Sequence, residues 1–253
     1  MSEAARPSVI LLDIECTTTP IAFVHEELFG YVRLHLDAWL AEHAGTESFA
    51  SIERAFAAEH AADPDGRKAL FAWRSDTLED QRESIATYAW FLMERDRKSP
   101  ALKDLQGLIW KIGYDRGDLR GVVYDDVAAA FEGWRAAGRR VAIYSSGSEL
   151  AQRLLFQSSN AGDLSSFIAA YFDTRVGAKT ESESYRRIAR ELGVEPADVL
   201  FVSDVAAELA AARDAGCDVR LIVRPGAKAL ADSASFMTIN SLTALGTSDT
   251  GKA

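Results

Sequence analysis

The sequence predicts an α/β fold in which a doubly wound parallel sheet forms the core and an all-helical domain is inserted after the first strand. A short apolar run at residues 8–12 is typical of a buried strand. Residues 22–118 then show only the three- and four-residue spacing of amphipathic helices. From residue 119 onward strands and helices alternate, which indicates successive βαβ units.

The insert is predicted to be helical because apolar residues recur along it at every third or fourth position, as in the stripe from Val24 to Leu40. Its helices are predicted at residues 24–43, 48–60, 78–97 and 102–112. The predicted domains are a helical cap at residues 22–118, a core at residues 1–21 and 119–245, and a disordered polar tail at residues 246–253.

The core elements follow the order expected of a Rossmann-like sheet. After the first strand, further strands are predicted at residues 140–144, 168–172, 199–202 and 219–223. The helices beside them are predicted at residues 125–137, 148–157, 181–192 and 206–215. In sheets of this kind the ligand binds beyond the carboxyl ends of the strands. The residues that follow each strand are therefore the candidates for chemistry.

The composition narrows the function classes. Lys and Arg number 28 against 38 Asp and Glu, a net charge of -10, so a broad basic surface for nucleic acid or anionic lipid is not expected. The two cysteines, Cys16 and Cys217, form no CxxC pair and fit a reducing compartment. The N-terminus lacks the features of a signal peptide. We therefore expect a cytoplasmic protein that binds neither nucleic acid nor membrane.

Polar residues stand after several predicted strands or at the start of a predicted helix. They are Asp13 and Glu15, then Ser145 and Ser146, then Lys179, and finally Asp204. Each has a structural explanation. The acids could be solvated at a strand end, Ser146, Thr180 or Asp204 could be helix N-caps, and the lysine could lie on the surface.

The same residues also fit a site for a phosphorylated ligand. Two acids at one strand end suit a nucleophile with a neighbouring acid–base group, or a metal pair. Hydroxyls and free N–H groups at a helix N-terminus bind anions. Asp204 and Glu208 are like charges one helical turn apart, and a cation near Asp204 would relieve their repulsion. Carboxylate ligands without histidine favour Mg²⁺.

The order of these groups resembles the haloacid dehalogenase superfamily, and the resemblance extends over the whole core. A closer resemblance is to the enolase-phosphatases of methionine salvage. Glu15 is one reason, because most phosphatases of the superfamily have aspartate two residues after the nucleophile. The chain departs from that family at Cys16, where the family has glycine. Other motifs similar to the family are Asp96-Arg97-Lys98, Tyr144-Ser145-Ser146-Gly147-Ser148 and Lys179-Thr180-Glu181-Ser182-Glu183-Ser184-Tyr185.

The resemblance implies a role for each candidate residue. Asp13 would attack phosphorus and form an aspartyl-phosphate, and the Glu15 side chain would protonate the leaving oxygen and then activate water. One Mg²⁺ ion would be held by the Asp13 carboxylate, the Glu15 main-chain carbonyl and Asp204. The phosphate oxygens would be bound by Ser145, the Ser146 N–H group and Lys179.

The implied reaction converts 2,3-diketo-5-methylthiopentyl-1-phosphate, through its enol, to the acireductone 1,2-dihydroxy-3-keto-5-methylthiopentene and phosphate. Glu15 is the candidate for the enolisation as well. The expected partner is this small phosphorylated diketone, and the expected assembly is a monomer. Three alternatives stay open. They are a superfamily phosphatase for another small phosphoester, a metal-independent haloacid dehalogenase, and a non-catalytic phosphate-binding protein.

Overall fold

The chain divides into two compact units in a computed structural model that describes residues 7–69, 72–225 and 235–245. One unit comprises Met1–Val24 and Arg120–Ala253, and the other comprises His25–Leu119. The first contains the sheet, whereas the described residues of the second are helical or irregular. The predicted disordered tail, residues 246–253, lies outside the described residues.

The sheet of the first unit is wholly parallel, which confirms the predicted fold class. Within the described residues its strand order is β3-β2-β1-β4-β5-β6. The strands are β1 Val9–Leu12, β2 Arg140–Tyr144, β3 Ile168–Phe172, β4 Val199–Ser203, β5 Asp218–Ile222 and β6 Thr238–Ile239. The last of these was not predicted, because two residues are too short to show a strand pattern.

The central strands explain why the polar candidates gather at one edge. Residues Val9–Leu12 are fully buried, as expected for a strand covered on both faces of a parallel sheet. Leu12 lies opposite Ile143 in β2 and Val202 in β4, so the three strands end at the same level. After β1 the chain continues to β2, on one side of β1, whereas after β4 it continues to β5, on the opposite side of the sheet's centre. The crevice between β1 and β4 is therefore the topological switch point, where ligands bind in such sheets.

Helices account for most of the remaining described chain. A π-helical turn at Phe23–Leu28 precedes the first α-helix. The α-helices are α1 Phe29–His43, α2 Glu47–Ala62, α3 Pro64–Ala69, α4 Leu78–Glu94, α5 Pro100–Arg116, α6 Asp126–Ala136, α7 Glu149–Gln157, α8 Ser182–Leu192 and α9 Ala206–Ala215. Short 3-10 turns lie at Ser165–Phe167, Pro196–Asp198 and Leu242–Leu245. None of the helices in the described ranges is long and apolar enough to cross a bilayer.

The helical unit differs from its prediction mainly at helix ends. Helix α4 ends at Glu94 rather than at residue 97, because Asp96 adopts a left-handed conformation with φ 47°. Helix α5 begins at Pro100 rather than at residue 102, because Ser99 caps it by accepting the N–H of Leu102 at 3.0 Å. The six-residue helix α3 was missed, since so short a segment carries little periodicity.

A buried arginine ties three distant parts of the core unit together. Arg224, which follows β5, donates from Nε to the Thr17 carbonyl at 3.0 Å and pairs through Nη1 with Asp126 Oδ2 at 2.7 Å. The same Asp126 oxygen accepts Ser241 Oγ at 2.8 Å and the Leu242 N–H at 2.7 Å. Burial raises the pKa of Asp126, but the hydrogen bonds from Arg224, Ser241 and Leu242 outweigh it and lower that pKa. The ionised carboxylate therefore stabilises the fold.

We expect Asp126→Asn to lower the free energy of unfolding by about 3 kcal/mol at neutral pH, because it leaves the Arg224 guanidinium buried without a counter-charge. The folded pKa of Asp126 is depressed, so its contribution is present above the unfolded value and is lost as pH falls toward the folded value. The difference in the free energy of unfolding between wild type and Asp126→Asn should therefore become smaller below a pH of about 4. Urea unfolding at pH 7 and in acid measures both effects.

Asp125→Asn is the matched control for this prediction. Asp125 is the exposed neighbour of Asp126 and makes no N-capping hydrogen bond to α6. Its replacement should change the free energy of unfolding by less than about 0.5 kcal/mol. Equal effects of the two substitutions would contradict the structural role assigned to the Arg224–Asp126 pair.

Candidate active site

Asp13 stands at the carboxyl end of β1 and is held there by the main chain. Its N–H donates to the Val202 carbonyl of β4 at 3.0 Å, and its Oδ1 accepts the Ile14 N–H at 2.8 Å. The side chain is only 7% exposed, so the interpretation as a solvated acid at a strand end is wrong for Asp13. This carboxylate has a fixed orientation within the crevice between β1 and β4.

The chain turns immediately after Asp13, and Glu15 lies in this turn. The Ile14 carbonyl accepts the N–H groups of residues 17–19, and Glu15 forms an isolated bridge with Thr19. The strand therefore ends at Leu12, and simple alternation does not place Asp13 and Glu15 on one strand face. Glu15 is half-buried in this turn.

Lys179 reaches the nucleophile candidate directly. Its Nζ lies 2.6 Å from Asp13 Oδ1 and 2.7 Å from Glu208 Oε2. The lysine side chain is 8% exposed, so the interpretation as a surface lysine is wrong. Burial lowers the pKa of Lys179, but the carboxylates of Asp13 and Glu208 outweigh burial and raise that pKa above its ordinary value. The site therefore contains a buried, protonated ammonium group between two acids.

Glu208 is the residue of this network that sequence reasoning missed. From the sequence it was considered only as a like charge to Asp204 that a cation near Asp204 would offset, whereas its side chain is 13% exposed and pairs with Lys179. The Ser203 hydroxyl lies 3.0 Å from Glu208 Oε2 and 3.4 Å from Asp13 Oδ2. Burial, and then the negative charge of Asp13, raise the pKa of Glu208. Glu208 lies in the first turn of α9, and its place four residues after Asp204 was the available sequence signal.

Asp204 follows β4 and lies within electrostatic reach of Asp13. Burial raises the pKa of Asp204 first, and the charge of Asp13 raises it further, whereas a hydrogen bond from Cys16 lowers it. Asp204 is not the N-cap of α9, because that position is Val205, whose N–H donates to Ser203 Oγ at 3.1 Å. The capping explanation for Asp204 is therefore wrong.

The donor set at this strand edge fits a hard divalent cation. Asp13 and Asp204 supply two carboxylates whose mutual repulsion a cation would relieve, and the Glu15 carbonyl lies in the turn that follows Asp13. The described residues contain no group of three His, Cys, Asp or Glu side chains that could hold a metal. The predicted ligand set requires only two such side chains, and Mg²⁺ in proteins is commonly held by one or two carboxylates with water molecules completing the shell.

Ser145 and Ser146 follow β2 at the same edge of the sheet. The last residue pair of β1 and β2 is Leu12 with Ile143, so Asp13 follows that pair on one strand and Tyr144 and Ser145 follow it on the other. The Ser145 N–H donates to the Phe172 carbonyl at 3.1 Å, and Ser145 Oγ accepts the Gly147 N–H at 3.2 Å. These contacts fix the loop between β2 and α7.

The alternative explanation of Ser146 and Thr180 as helix N-caps is wrong. Ser148, not Ser146, is the N-cap of α7, and its Oγ accepts the Ala151 N–H at 3.3 Å. Helix α8 begins at Ser182 after Glu181, which makes no side-chain capping bond, so Thr180 does not cap it. Neither Ser146 nor Thr180 is therefore explained by helix capping.

Cys16 stands at the position where the family that the sequence resembles has glycine. It has φ 55°, in the left-handed region that glycine adopts more readily. Burial, and then the carboxylate of Asp204, raise the pKa of the thiol to about 11. The thiol is thus protonated at neutral pH and donates to Asp204. The turn keeps its left-handed geometry despite the side chain.

The chain is similar to known proteins of one hydrolase family. A family model for haloacid dehalogenase-like hydrolases matches residues 7–216. The chain is 46% identical over 222 residues to enolase-phosphatase E1 of Drosophila mojavensis, covering 86% of each chain. It is 45% identical to that of Drosophila virilis, covering 94% of this chain and 95% of the relative. The crystal structure of the UTR4 protein of Saccharomyces cerevisiae superposes with a TM-score of 0.74 at 32% identity, covering 93% and 98%.

Proposed function

The chain belongs to the haloacid dehalogenase-like hydrolases and is an enolase-phosphatase of methionine salvage, and we propose that it acts through an aspartyl-phosphate on Asp13 with one Mg²⁺ ion bound. The observation that supports this mechanism is the buried contact of 2.6 Å between Asp13 and Lys179 beside Asp204. A nucleophilic carboxylate, an ammonium group for phosphate oxygens and a second carboxylate for the metal are the parts that such a reaction needs.

The substrate proposed for this site is 2,3-diketo-5-methylthiopentyl-1-phosphate. Its enol is dephosphorylated to 1,2-dihydroxy-3-keto-5-methylthiopentene. Glu15 supports this reaction over that of a general phosphatase, because the resemblance to enolase-phosphatases includes glutamate at this position. Glu15 is also the proposed base for the carbon-bound proton, since it lies two residues from the nucleophile in the same turn.

The proposed Mg²⁺ ligands are the carboxylates of Asp13 and Asp204 and the main-chain carbonyl of Glu15. When bound, the ion offsets the negative charges of the phosphate and of the carboxylates around it. Lys179 offsets part of the same charge from the protein side, because its ammonium group lies between Asp13 and Glu208.

The first chemical step transfers the phosphoryl group to Asp13. Asp13 Oδ1 accepts two short hydrogen bonds, from Lys179 at 2.6 Å and from the Ile14 N–H at 2.8 Å. Within the described residues Asp13 Oδ2 has no contact this short and is therefore the oxygen that attacks phosphorus. The bond from phosphorus to the substrate oxygen breaks, and Glu15 donates a proton to that leaving oxygen. Lys179, Ser145 and the Ser146 N–H group bind the remaining phosphate oxygens.

The second step returns Asp13 to its carboxylate form. Glu15, now ionised, accepts a proton from water as the water oxygen attacks the phosphorus of the aspartyl-phosphate. The bond between phosphorus and Asp13 breaks, inorganic phosphate leaves, and the proton on Glu15 passes to the enolate oxygen of the product, so that Glu15 is again the carboxylate that the next enolisation needs. One water is consumed for each phosphoester hydrolysed, so the overall reaction balances.

The diketone-phosphate assay tests the proposed function. We expect purified protein with Mg²⁺ to release phosphate while an enediol ultraviolet absorbance appears, and excess EDTA to stop both until Mg²⁺ is restored. Phosphate release without that absorbance would leave a general phosphatase. Turnover that survives EDTA would contradict the metal assignment and favour the dehalogenase-like alternative.

We also propose that the enzyme is a cytoplasmic monomer. The support for this is the acidic composition, with a net charge of -10, and a pair of cysteines that form no CxxC motif. Sedimentation equilibrium of the purified chain measures the assembly state directly, and a dimer at micromolar concentration would contradict the proposal.

A further inference from the structure

Three consecutive main-chain carbonyls before α8, those of residues 177–179, each accept a hydrogen bond from a side-chain hydroxyl. Tyr144 donates to the first at 2.9 Å, Ser184 to the second at 2.8 Å and Tyr185 to the third at 2.7 Å. We call Tyr144, Ser184 and Tyr185 the hydroxyl clamp. The last carbonyl of the set belongs to Lys179 itself, so the clamp ends on the residue whose ammonium contacts Asp13.

The donors of the hydroxyl clamp are fixed by the core. Tyr144, Ser184 and Tyr185 are each no more than 1% exposed. The rings of Tyr144 and Tyr185 meet edge to face at 5.6 Å, and Tyr185 also packs on Phe201 of β4 at 5.0 Å. Close packing of this kind leaves a hydroxyl little freedom to move. The clamp is therefore a rigid support for the main chain of residues 177–179.

The loop also lies tightly against the clamp. Gly177 has φ 141°, and a Cβ placed on it would lie 2.2 Å from Ser184 Oγ. A residue with a side chain would thus displace the hydroxyl that holds the next carbonyl. Glycine is required at this position because the main chain approaches Ser184 so closely.

Anchoring the main chain matters because a lysine side chain is otherwise mobile. Its four methylene groups carry about 2 kcal/mol of rotamer entropy, which must be lost when the ammonium group takes one position. Here the Lys179 ammonium makes two contacts, at 2.6 and 2.7 Å, and lies 5.8 Å from the centre of the Tyr144 ring. A small shift of the Lys179 main chain would lengthen both contacts.

We propose that the hydroxyl clamp positions Lys179 for phosphoryl transfer, and that Tyr185 is its principal member because it holds the carbonyl of Lys179. The inference rests on the phosphate-binding role proposed for Lys179. The three hydroxyls act through the lysine main chain, so they are positioning residues and not catalytic ones. Loss of the Tyr185 hydroxyl lets the ammonium group leave the geometry that binds phosphate oxygens.

Tyr185→Phe tests the inference by removing one oxygen while keeping the ring on Phe201. We expect kcat/KM for the diketone phosphate to fall about tenfold. The buried carbonyl of Lys179 loses the Tyr185 hydroxyl that donates to it, and the Lys179 main chain is then less firmly held. Tyr171→Phe is the matched control, since the Tyr171 hydroxyl is also buried but has no hydrogen-bond partner among the described residues. The control should change kcat/KM by less than about twofold.

A double-mutant cycle separates positioning from general destabilisation. If Tyr185 acts through Lys179, adding Tyr185→Phe to Lys179→Ala should lower kcat/KM no further, within about twofold. A tenfold loss that persists in the Lys179→Ala background would overturn the inference. Tyr144→Phe is the second variant for the same cycle if Tyr185→Phe does not fold, and the same lack of additivity is expected.

The outcomes also distinguish this inference from the proposed function. Wild-type kcat/KM in Lys179→Ala would overturn the phosphate-binding role of Lys179, and with it the reason for the clamp. Impaired kcat/KM in Lys179→Ala together with equal values for Tyr185→Phe and Tyr171→Phe would overturn the clamp alone. Circular dichroism of each variant at the assay temperature establishes that the comparison is between folded proteins.

Discussion

Asp13→Asn is expected to lower kcat for phosphate release by at least about 10⁴-fold, the largest effect of any single substitution in this chain. The amide is a far weaker nucleophile than the carboxylate and cannot form the aspartyl-phosphate. The substitution also removes one carboxylate proposed to bind Mg²⁺ and one negatively charged partner of the Lys179 ammonium group. Phosphate release under saturating substrate measures the effect.

Asp214→Asn provides the matched control for this variant. Asp214 lies in α9 of the same unit and is exposed to solvent. The same chemical change there should leave kcat within about twofold of wild type. If Asp13→Asn retained activity comparable to this control, the nucleophile would have to be another group.

Lys179→Ala should produce the second-largest effect, a fall in kcat/KM of about 10²- to 10³-fold. That is the cost typical of losing one well-placed donor to the charge that develops in a transition state. The loss should appear in KM and in inhibition by inorganic phosphate as well as in kcat, because the ammonium group binds the phosphate before and during transfer. Steady-state kinetics with phosphate as inhibitor measures all three.

The structure also predicts a stability cost for Lys179→Ala. The substitution leaves the carboxylates of Asp13 and Glu208 buried without a counter-charge, and we expect a loss of about 3 kcal/mol in the free energy of unfolding. Lys111→Ala is the control, because Lys111 is half-exposed and its ion pair is with Asp115, one turn along the same helix. For the kinetic prediction, inhibition by inorganic phosphate that is the same in Lys179→Ala as in wild type would contradict the proposal that Lys179 binds phosphate.

The sheet and the family could be predicted from sequence because both depend on local patterns. Strands β1 and β3 are continuous apolar runs, and the bounds predicted for β2 and β3 agree with the structure. The candidate residues Asp13 and Asp204 stand directly after strands and Lys179 stands shortly before a helix, so their order was sufficient to predict that they lie at one edge of the sheet. The family matches confirm the resemblance, whereas the roles of these residues stay predictions until the variants are measured.

The partners of each side chain could not be predicted from sequence, since they come from distant parts of the chain. Glu208 pairs with Lys179 across 29 residues, and Arg224 holds the turn at Thr17 across 207 residues. No local pattern reports such contacts. The N-cap of each helix also depends on packing, and that of α7 is Ser148, two residues after the Ser146 considered from the sequence.

Rapid acid quenching during turnover, followed by peptide mass spectrometry, tests the central claim most directly. We expect a phosphoryl group on the peptide that contains Asp13, and none on the same peptide of Asp13→Asn. A phosphoryl group trapped on a different residue, or in Asp13→Asn at the wild-type level, would contradict it.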